Sequence, residues 1–170
     1  MAKVSHCLLI APNGAHEFRD IASADDIKAA VGGDFDWSAP SALMFYCYQY
    51  ALYERAINPV ATELYHFADA NAKARGDLLA GDVLVSGPPV DDDETDIPEQ
   101  YVQVFYKIRR TMGRALIDEL AVPLPPERVT QMKAEEDQRW ALIRDKLAEG
   151  NAVDVGGLII GRADNPEERT

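Results

Sequence analysis

The stretch from Asn58 to Gly87 constrains the fold more than any other part of this sequence. An Asn side chain can accept a hydrogen bond from the free amides of a first helical turn, and a following Pro suits the first helical position. After Asn58-Pro59, apolar residues recur at helical spacing, at Val60, Leu64, Phe67 and Ala68. Gly76 is expected to end this helix, and an apolar strand follows at residues 79–85. The stretch therefore predicts one amphipathic helix that packs on a strand.

The length and composition predict a single globular domain. A chain of 170 residues can bury a core of its own, and 47% apolar with 27% charged residues is close to the globular average. With 29 acidic and 17 basic residues, the formal charge is −12. This charge disfavours direct nucleic-acid binding, because phosphate contacts need a clustered basic face. An acidic protein can still bind a basic surface on another protein.

The cysteines and the N-terminus bear on the compartment. Cys7 and Cys47 each lie inside an apolar run, which predicts two buried thiols in a reducing environment rather than a disulfide or a zinc site. The first residues lack signal-peptide architecture, and no apolar run approaches the roughly 20 residues of a membrane span. We therefore expect a cytoplasmic protein with no membrane segment.

Residues 1–90 predict an α+β module. An apolar run over residues 4–11 is followed by Asn13-Gly14 and a second run, which is the pattern of a β-hairpin. Ser23 precedes a short helix with acids in its first turn, and Gly32-Gly33 ends it. Residues 34–40 are expected to form a loop, and residues 42–50 a third strand.

An aromatic row marks this third strand and the loop before it. Alternate residues of the strand are tyrosines on one face, and such a row is typically a packed face with hydroxyls at its rim. A nucleobase could also stack on it. The candidate ligand-binding residues are Trp37, Tyr46, Tyr48, Tyr50 and Asn58.

The second half of the chain predicts helices. Residues 91–97 read as a solvated acidic loop, and residues 98–150 as an antiparallel helical hairpin, with a strand at 101–108 as the alternative. A basic cluster is formed by Lys107, Arg109, Arg110 and Arg114. Three of its members, Lys107, Arg110 and Arg114, share a helical face, which could bind an anionic ligand but is expected to pair with the acidic loop at 91–96. A late strand is predicted within residues 151–163 and a polar tail at 164–170.

The sequence offers no catalytic or metal-binding motif. Glu63 and His66 have the spacing of half a di-iron site, but no second copy exists. His6 and His16 are placed on the two arms of the predicted hairpin, where they could face each other, but a pair without a third ligand is a weak metal site. Nucleophile, phosphate-loop and dinucleotide motifs are missing as well. We therefore predict no catalytic residue, no metal and no cofactor.

Three short motifs occur in order along the first half of the chain: Val31-Gly32-Gly33-Asp34-Phe35, Asn58-Pro-Val-Ala61-Thr62 and Gly81-Asp82-Val83-Leu84-Val85-Ser-Gly87. Together they resemble the uncharacterised domain-of-unknown-function family numbered three thousand eight hundred and forty-six, which is carried by bacteriophages and mobile elements. The resemblance covers about residues 4–87 and does not cover the C-terminal helices. It implies a small α+β domain in a phage or plasmid setting, and it implies no activity. If the chain is phage-encoded, the expected location is the host bacterial cytoplasm.

The predicted fold class is α+β, with a small mixed or antiparallel sheet, packed helices and a C-terminal helical hairpin. The predicted function is that of a non-enzymatic bacteriophage or mobile-element accessory protein that binds a host or defence protein. The alternatives are a small-ligand, nucleotide-like binding or sequestering module and an enzyme whose site is not visible in the sequence. An exposed face on the long helices would favour a homodimer.

Overall fold

The computed structural model describes residues 4–40, 42–90, 93–149, 153–155 and 158–160. The chain forms two compact units, residues 1–124 and residues 125–170. The elements of the first unit are β1 Ser5–Ile10, β2 His16–Ile21, α1 Ala24–Val31, β3 Phe35–Ser38, β4 Met44–Tyr48, α2 Ala51–Glu54, α3 Pro59–Ala68, α4 Ala70–Arg75, β5 Val83–Val90, β6 Asp93–Thr95 and α5 Glu99–Leu120.

The strands form one antiparallel sheet in the order β2-β1-β5-β4-β3, and β6 pairs with β5 off this path. The predicted hairpin is confirmed: β1 pairs with β2 from Ser5↔Ile21 to Ile10↔His16. Gly14, in the turn between them, has a φ of 77°, a conformation that glycine adopts without a Cβ penalty. The predicted α+β class, with an antiparallel sheet and packed helices, is therefore confirmed.

The sheet buries both of its faces, because alternate residues of each strand point to opposite sides. On one face, Leu9, Met44, Tyr46 and Leu84 form a cluster with residues of α1. On the other face, Leu8, Phe45, Val83 and Val85 form a cluster with residues of α3 and α5. The sheet thus lies between two helical layers, and we call its two sides the α1 face and the α3 face.

The predicted helix starts at Ser23 and Asn58 are confirmed. The side chain of Ser23 accepts a hydrogen bond from the Asp26 amide, and Gly32 ends α1 in the left-handed conformation. The side chain of Asn58 accepts one from the Ala61 amide at the start of α3. These contacts satisfy amides that a helix cannot satisfy within itself.

The single helix predicted from residue 59 to Gly76 is wrong. Asp69 is extended, with φ −137° and ψ 102°, and its side chain accepts a hydrogen bond from the Asn71 amide. Asp69 therefore ends α3 and caps α4, and Gly76 ends only the second helix. Phe67, predicted on the inward stripe, is 62% exposed.

Three strand boundaries differ from the predictions. The predicted loop at 34–40 contains β3, which pairs with β4. The strand predicted at 42–50 is β4, which is shorter at both ends. The strand predicted at 79–85 is β5, which begins later and continues through Pro88-Pro89. The two prolines are tolerated because the residues that pair with β6 are Gly87 and Val90, so neither missing amide is needed.

The predicted acidic loop at 91–97 contains a strand, β6. Residues 91 and 92 lie outside the described residues. The carboxylates of this segment bond inside the first unit rather than to the basic cluster: Asp96 accepts from the His6 amide, and Glu94 from side chains of the sheet. Arg114 pairs with Asp118 of its own helix. Among the described residues, no ion pair joins the basic cluster to Asp93, Glu94 or Asp96, and a pairing with residues 91 and 92 stays a prediction.

Residues 101–108 belong to α5, so the alternative of a strand there is wrong. The helix is interrupted at Gly113, whose φ of 69° and ψ of 161° are not helical. Because α5 packs in the first unit, the boundary between the two units follows Leu124 and does not coincide with residues 91–97.

The second unit contains α6 Pro126–Ala148 and two short strands, β7 Val153–Val155 and β8 Leu158–Ile160. The strands pair antiparallel, so the late strand predicted within 151–163 is a two-stranded hairpin. Of the predicted inward residues of α6, Ile143 is buried and Trp140 is 39% exposed, while Val129, Met132 and Leu147 are half-buried. The predicted tail at 164–170 lies outside the described residues.

Candidate functional site

The β3–β4 pair places two of the predicted ligand-binding residues side by side. Trp37 is the register partner of Tyr46, and side chains of paired residues project from the same face of a sheet. Trp37 is 63% exposed, whereas Tyr46 is 3% exposed. Phe35 contacts the Tyr46 ring edge to face, with centroids 5.5 Å apart. The pair therefore offers one exposed indole beside a buried aromatic surface.

These two residues line a cleft of about 330 Å³ on the α1 face, which we call the Trp37 cleft. Its floor is apolar, since Ile21, Ile27, Met44 and Tyr46 are each at most 6% exposed. The start of α1 forms a second side, and Asp93 and Glu94 of β6 form a third. Among the described residues that line it, none is Lys, Arg or His.

Glu94 is held in place by the residues beneath it. The Tyr46 hydroxyl donates to Glu94 Oε1 at 2.6 Å. The buried Ser86 hydroxyl lies 3.0 Å from Glu94 Oε2 and 3.0 Å from the Gly87 carbonyl, and its single proton can be donated to either oxygen. Burial, together with the charge of Glu94, raises the pKa of Tyr46 well above its usual value, so the hydroxyl stays a donor. The cleft thus has a carboxylate fixed at its wall.

The start of α1 is already capped by its own side chains. Asp26 Oδ2 accepts from the Ala22 amide at 3.0 Å and from the Ser23 hydroxyl at 2.9 Å. These hydrogen bonds lower the pKa of the Asp26 carboxyl. The helix start therefore presents an additional carboxylate near the cleft, in place of the free amides that bind anions in other proteins.

Tyr48 and Tyr50 do not line the Trp37 cleft. They contact each other edge to face, with centroids 5.7 Å apart, and the Arg55 guanidinium lies 5.5 Å from the centre of the Tyr48 ring. A Cβ atom at Gly33 would lie 2.9 Å from Tyr48 Cε2, so this ring requires the glycine of the Gly32-Gly33 motif. Tyr50 lies just beyond β4 and precedes α2. The predicted row of three tyrosines is therefore divided.

Asn58, the fifth predicted residue, lies in the core and is 0% exposed. Its Nδ2 donates to the carbonyls of Ile10 at 2.8 Å and Gly81 at 2.9 Å, while its Oδ1 accepts from the Ala61 amide at 3.1 Å. Thr62, one turn further, accepts from the Leu79 amide at 3.0 Å. This Asn58 network joins the start of α3 to the end of β1 and to the segment before β5.

The histidines are dispersed. His6 lies opposite Asp20, and its Nδ1 is 2.9 Å from Asp20 Oδ1, whereas His16 lies opposite Ile10. The prediction that His6 and His16 could face each other is therefore wrong. His66 bonds the Asp77 carbonyl at 2.7 Å. In the part of the chain that the structure describes, no three His, Cys, Asp or Glu side chains form a group that could hold a metal ion.

Neither cysteine has the properties of a nucleophile. Burial raises the pKa of Cys7 to about 12 and that of Cys47 to about 11. Because the thiolate is the reactive form, both side chains are inert at neutral pH.

A second concave surface lies on the outside of the α3 face. It is an apolar groove of about 560 Å³ between α3 and α5, which we call the α3–α5 groove. Its lining residues are Glu63, Phe67, Val104, Lys107, Ile108, Thr111, Met112, Leu116 and Leu120. The sequence pattern missed this surface because Phe67 shares the helical spacing of the buried residues of α3.

The model of the domain of unknown function DUF3846 matches residues 5–110. The chain belongs to this family. The DUF3846 match includes the Trp37 cleft and the Asn58 network, and it extends the resemblance seen in the sequence into α5. No curated protein and no solved structure matches the chain.

Two of the three short motifs seen in the sequence have a structural role. The Asn-Pro-Val-Ala-Thr and Gly-Asp-Val segments supply Asn58, Thr62 and Gly81 to one buried network. Glu94 lies outside these motifs, and nothing in the acidic run marks it as a carboxylate that turns inward. The alternation of apolar and polar residues in β3 was a usable signal for Trp37.

Among the described residues, no helix has the length and hydropathy of a membrane span.

Proposed function

We propose that this DUF3846 protein binds another protein through the α3–α5 groove. In this proposal it is a non-enzymatic accessory protein of a bacteriophage or mobile element, and its partner is a host or defence protein. The observation that carries the proposal is the exposure of large apolar side chains along one groove. Phe67 is 62% exposed, Leu116 41% and Leu120 42%.

A contiguous apolar patch with a polar rim differs from scattered exposed residues. Single exposed apolar side chains are normal, whereas a patch of this kind marks interaction surfaces. Here the side chains come from two packed helices, with Glu63 on the α3 rim and Lys107 on the α5 rim. The surface between two helices is the geometry that receives a third, amphipathic helix.

The charges define the partner's chemistry. Lys107 lines the groove, and Arg110 follows it by about one helical turn on α5. This basic edge stands out on a chain with a formal charge of −12. The proposed partner segment is therefore an amphipathic helix whose apolar face is flanked by acidic residues on the α5 side.

The test compares two charge insertions at equally exposed aromatic residues. Phe67→Glu places a carboxylate in the groove, and Trp37→Glu, at a residue that is 63% exposed, places one outside it. Tagged wild-type and variant proteins are incubated with bacterial lysate, washed at moderate salt, and the retained proteins identified by mass spectrometry. We expect a specific protein that wild type and Trp37→Glu retain and Phe67→Glu loses.

A charge reversal then tests the partner chemistry. The binding helix of the retained protein is synthesised, and Lys107→Glu is expected to weaken it at least tenfold. A Glu-to-Lys change in the flank of the peptide should restore binding. Equal retention by wild type and Phe67→Glu, or no retention at all, would contradict the proposal. A wild-type dimer in sedimentation that Phe67→Glu dissociates would instead assign the groove to a second copy.

A second candidate function is small-ligand binding in the Trp37 cleft. It is favoured by the exposed Trp37 indole above an apolar floor. A nucleotide-like ligand would bring phosphates towards Asp93 and Glu94, which argues against that class. Titration with small molecules, followed by the NMR signal of the Trp37 indole, tests whether the cleft binds any ligand. No residue is proposed as catalytic.

A further inference from the structure

We infer that the Trp37 cleft binds an organic cation: an alkylammonium or guanidinium group attached to an apolar chain. This inference rests on the second proposed function, because it names the class of ligand for the same cleft. It depends on three features of the described residues, namely the sign of the charges, the exposed indole and the apolar floor.

The first feature is the charge of the lining. Asp93 and Glu94 form one wall, and no lining residue that the structure describes is basic. Asp26, at the start of α1, adds a third carboxylate close to Ala22 and Ser23, which line the cleft. An anionic ligand would meet only like charge here, whereas a cation would be attracted to each of these groups.

The second feature is the fixed position of Glu94. The Tyr46 hydroxyl donates to one of its oxygens, and the Ser86 hydroxyl lies within hydrogen-bond distance of the other, so its carboxylate is oriented before any ligand arrives. Each carboxylate oxygen can accept more than one hydrogen bond, so an ammonium or guanidinium donor can still be added. A pre-oriented carboxylate loses little conformational entropy when it binds.

The third feature combines Trp37 with the floor of the cleft. The indole is 63% exposed, and the face of an indole is the best aromatic surface for a cation. The floor of Ile21, Ile27 and Met44 suits an aliphatic or aromatic chain. A bare metal ion would make no use of this apolar floor, so the three features together favour an organic cation.

The test uses three probes of one size: n-hexylammonium, n-hexanol and hexanoate, each titrated to about 10 mM. The 170-residue chain has two tryptophans, so its indole N–H groups give two NMR signals. The Trp37 signal reports on the cleft, and the Trp140 signal is an internal control. We expect hexylammonium to shift the Trp37 signal with a dissociation constant near 1 mM, at least about tenfold tighter than hexanol, and hexanoate to give no shift.

Variants separate the contributions. Asp93→Asn and Glu94→Gln remove one charge each, and each should weaken hexylammonium about threefold to tenfold while leaving hexanol unchanged. Asp93 is exposed, so the first variant remains informative if the second fails to fold. Asp137→Asn, at an exposed acid of α6, is the matched control and should change nothing.

The source of the cation is resolved by comparing hexylammonium with a peptide. A capped Ala-Lys-Ala peptide presents the same ammonium group on a polypeptide. Tighter binding of the peptide than of hexylammonium would indicate a lysine of a partner protein, and the reverse order would indicate a free amine.

Two results would overturn the inference, and they differ in whether the proposed small-ligand function survives. If hexanol or hexanoate binds as tightly as hexylammonium, the cleft binds small molecules but does not select cations. If no probe shifts the Trp37 signal, both the inference and the small-ligand function fail.

Discussion

The sequence predicts Asn58 and Trp37 as parts of one ligand site, and the structure places them in two regions with opposite properties, the Asn58 network and the Trp37 cleft. Asn58 is 0% exposed, and its side chain makes three hydrogen bonds inside the protein. Trp37 is 63% exposed, and its register partner Tyr46 holds a carboxylate at the cleft wall. A polar residue of a sequence motif, Asn58, therefore serves folding, while the surface suited to binding is formed by other segments.

The largest expected effect on stability comes from disrupting the Asn58 network. Asn58→Ala removes the α3 cap and leaves the carbonyls of Ile10 and Gly81 without their donor. Loss of a cap costs about 1 kcal/mol, and a buried unsatisfied group costs about 1 to 3 kcal/mol. We expect the free energy of unfolding to fall by about 3 kcal/mol, measured by urea denaturation.

Asn71→Ala is the control for that experiment, because Asn71 is an exposed residue of the neighbouring helix α4. Its expected effect is within about 0.5 kcal/mol. A loss at Asn58 no larger than that at Asn71 would show that the network contributes little to stability and would remove the contrast with the cleft.

The next effect concerns the connection between the core and the cleft wall. Tyr46→Phe keeps the ring and removes the hydroxyl that donates to Glu94 at 2.6 Å. A hydrogen bond to a charged group contributes about 1.5 to 3 kcal/mol, so we expect a loss of about 2 kcal/mol in urea denaturation at pH 7. An unchanged stability would mean that Glu94 is not held by this contact, and the pre-oriented wall of the cleft would be in doubt.

Measurements at alkaline pH distinguish the contribution of the Tyr46 hydroxyl to stability from that of its ring. The pKa of Tyr46 is raised in the folded chain, so its contribution to stability is complete below the unfolded pKa of about 10 and is lost as pH rises above it. The loss approaches about 1.4 kcal/mol per pH unit for one such group. Between pH 10 and 11 we expect wild type to lose stability faster than Tyr46→Phe by roughly that slope. Parallel curves would contradict this assignment.

The sequence predicted those features that depend on local chemistry. The caps at Ser23 and Asn58 and the turn at Asn13-Gly14 follow from side chains that bond nearby amides or tolerate positive φ.

The remaining features depend on contacts between distant segments. Glu94 was one acid in an acidic run, and only the pairing of β6 with β5 brings it to Tyr46. Phe67 has the spacing of a buried residue, but α3 ends one residue after it and its ring stays exposed. The groove and the cleft therefore could not be derived from periodicity, because both are formed by elements far apart in the chain.

The smallest expected effect on stability comes from a substitution in the Trp37 cleft. It is the sharpest check on the contrast between the cleft and the Asn58 network. Trp37→Ala removes a large side chain of which 63% is already exposed, so only the buried third of its surface is lost. We expect a loss of about 1 kcal/mol in urea denaturation at pH 7. A loss as large as that of Asn58→Ala would show that the indole is part of the core. Because the protein stays folded at that cost, any loss of cation binding in Trp37→Ala can be attributed to the indole itself.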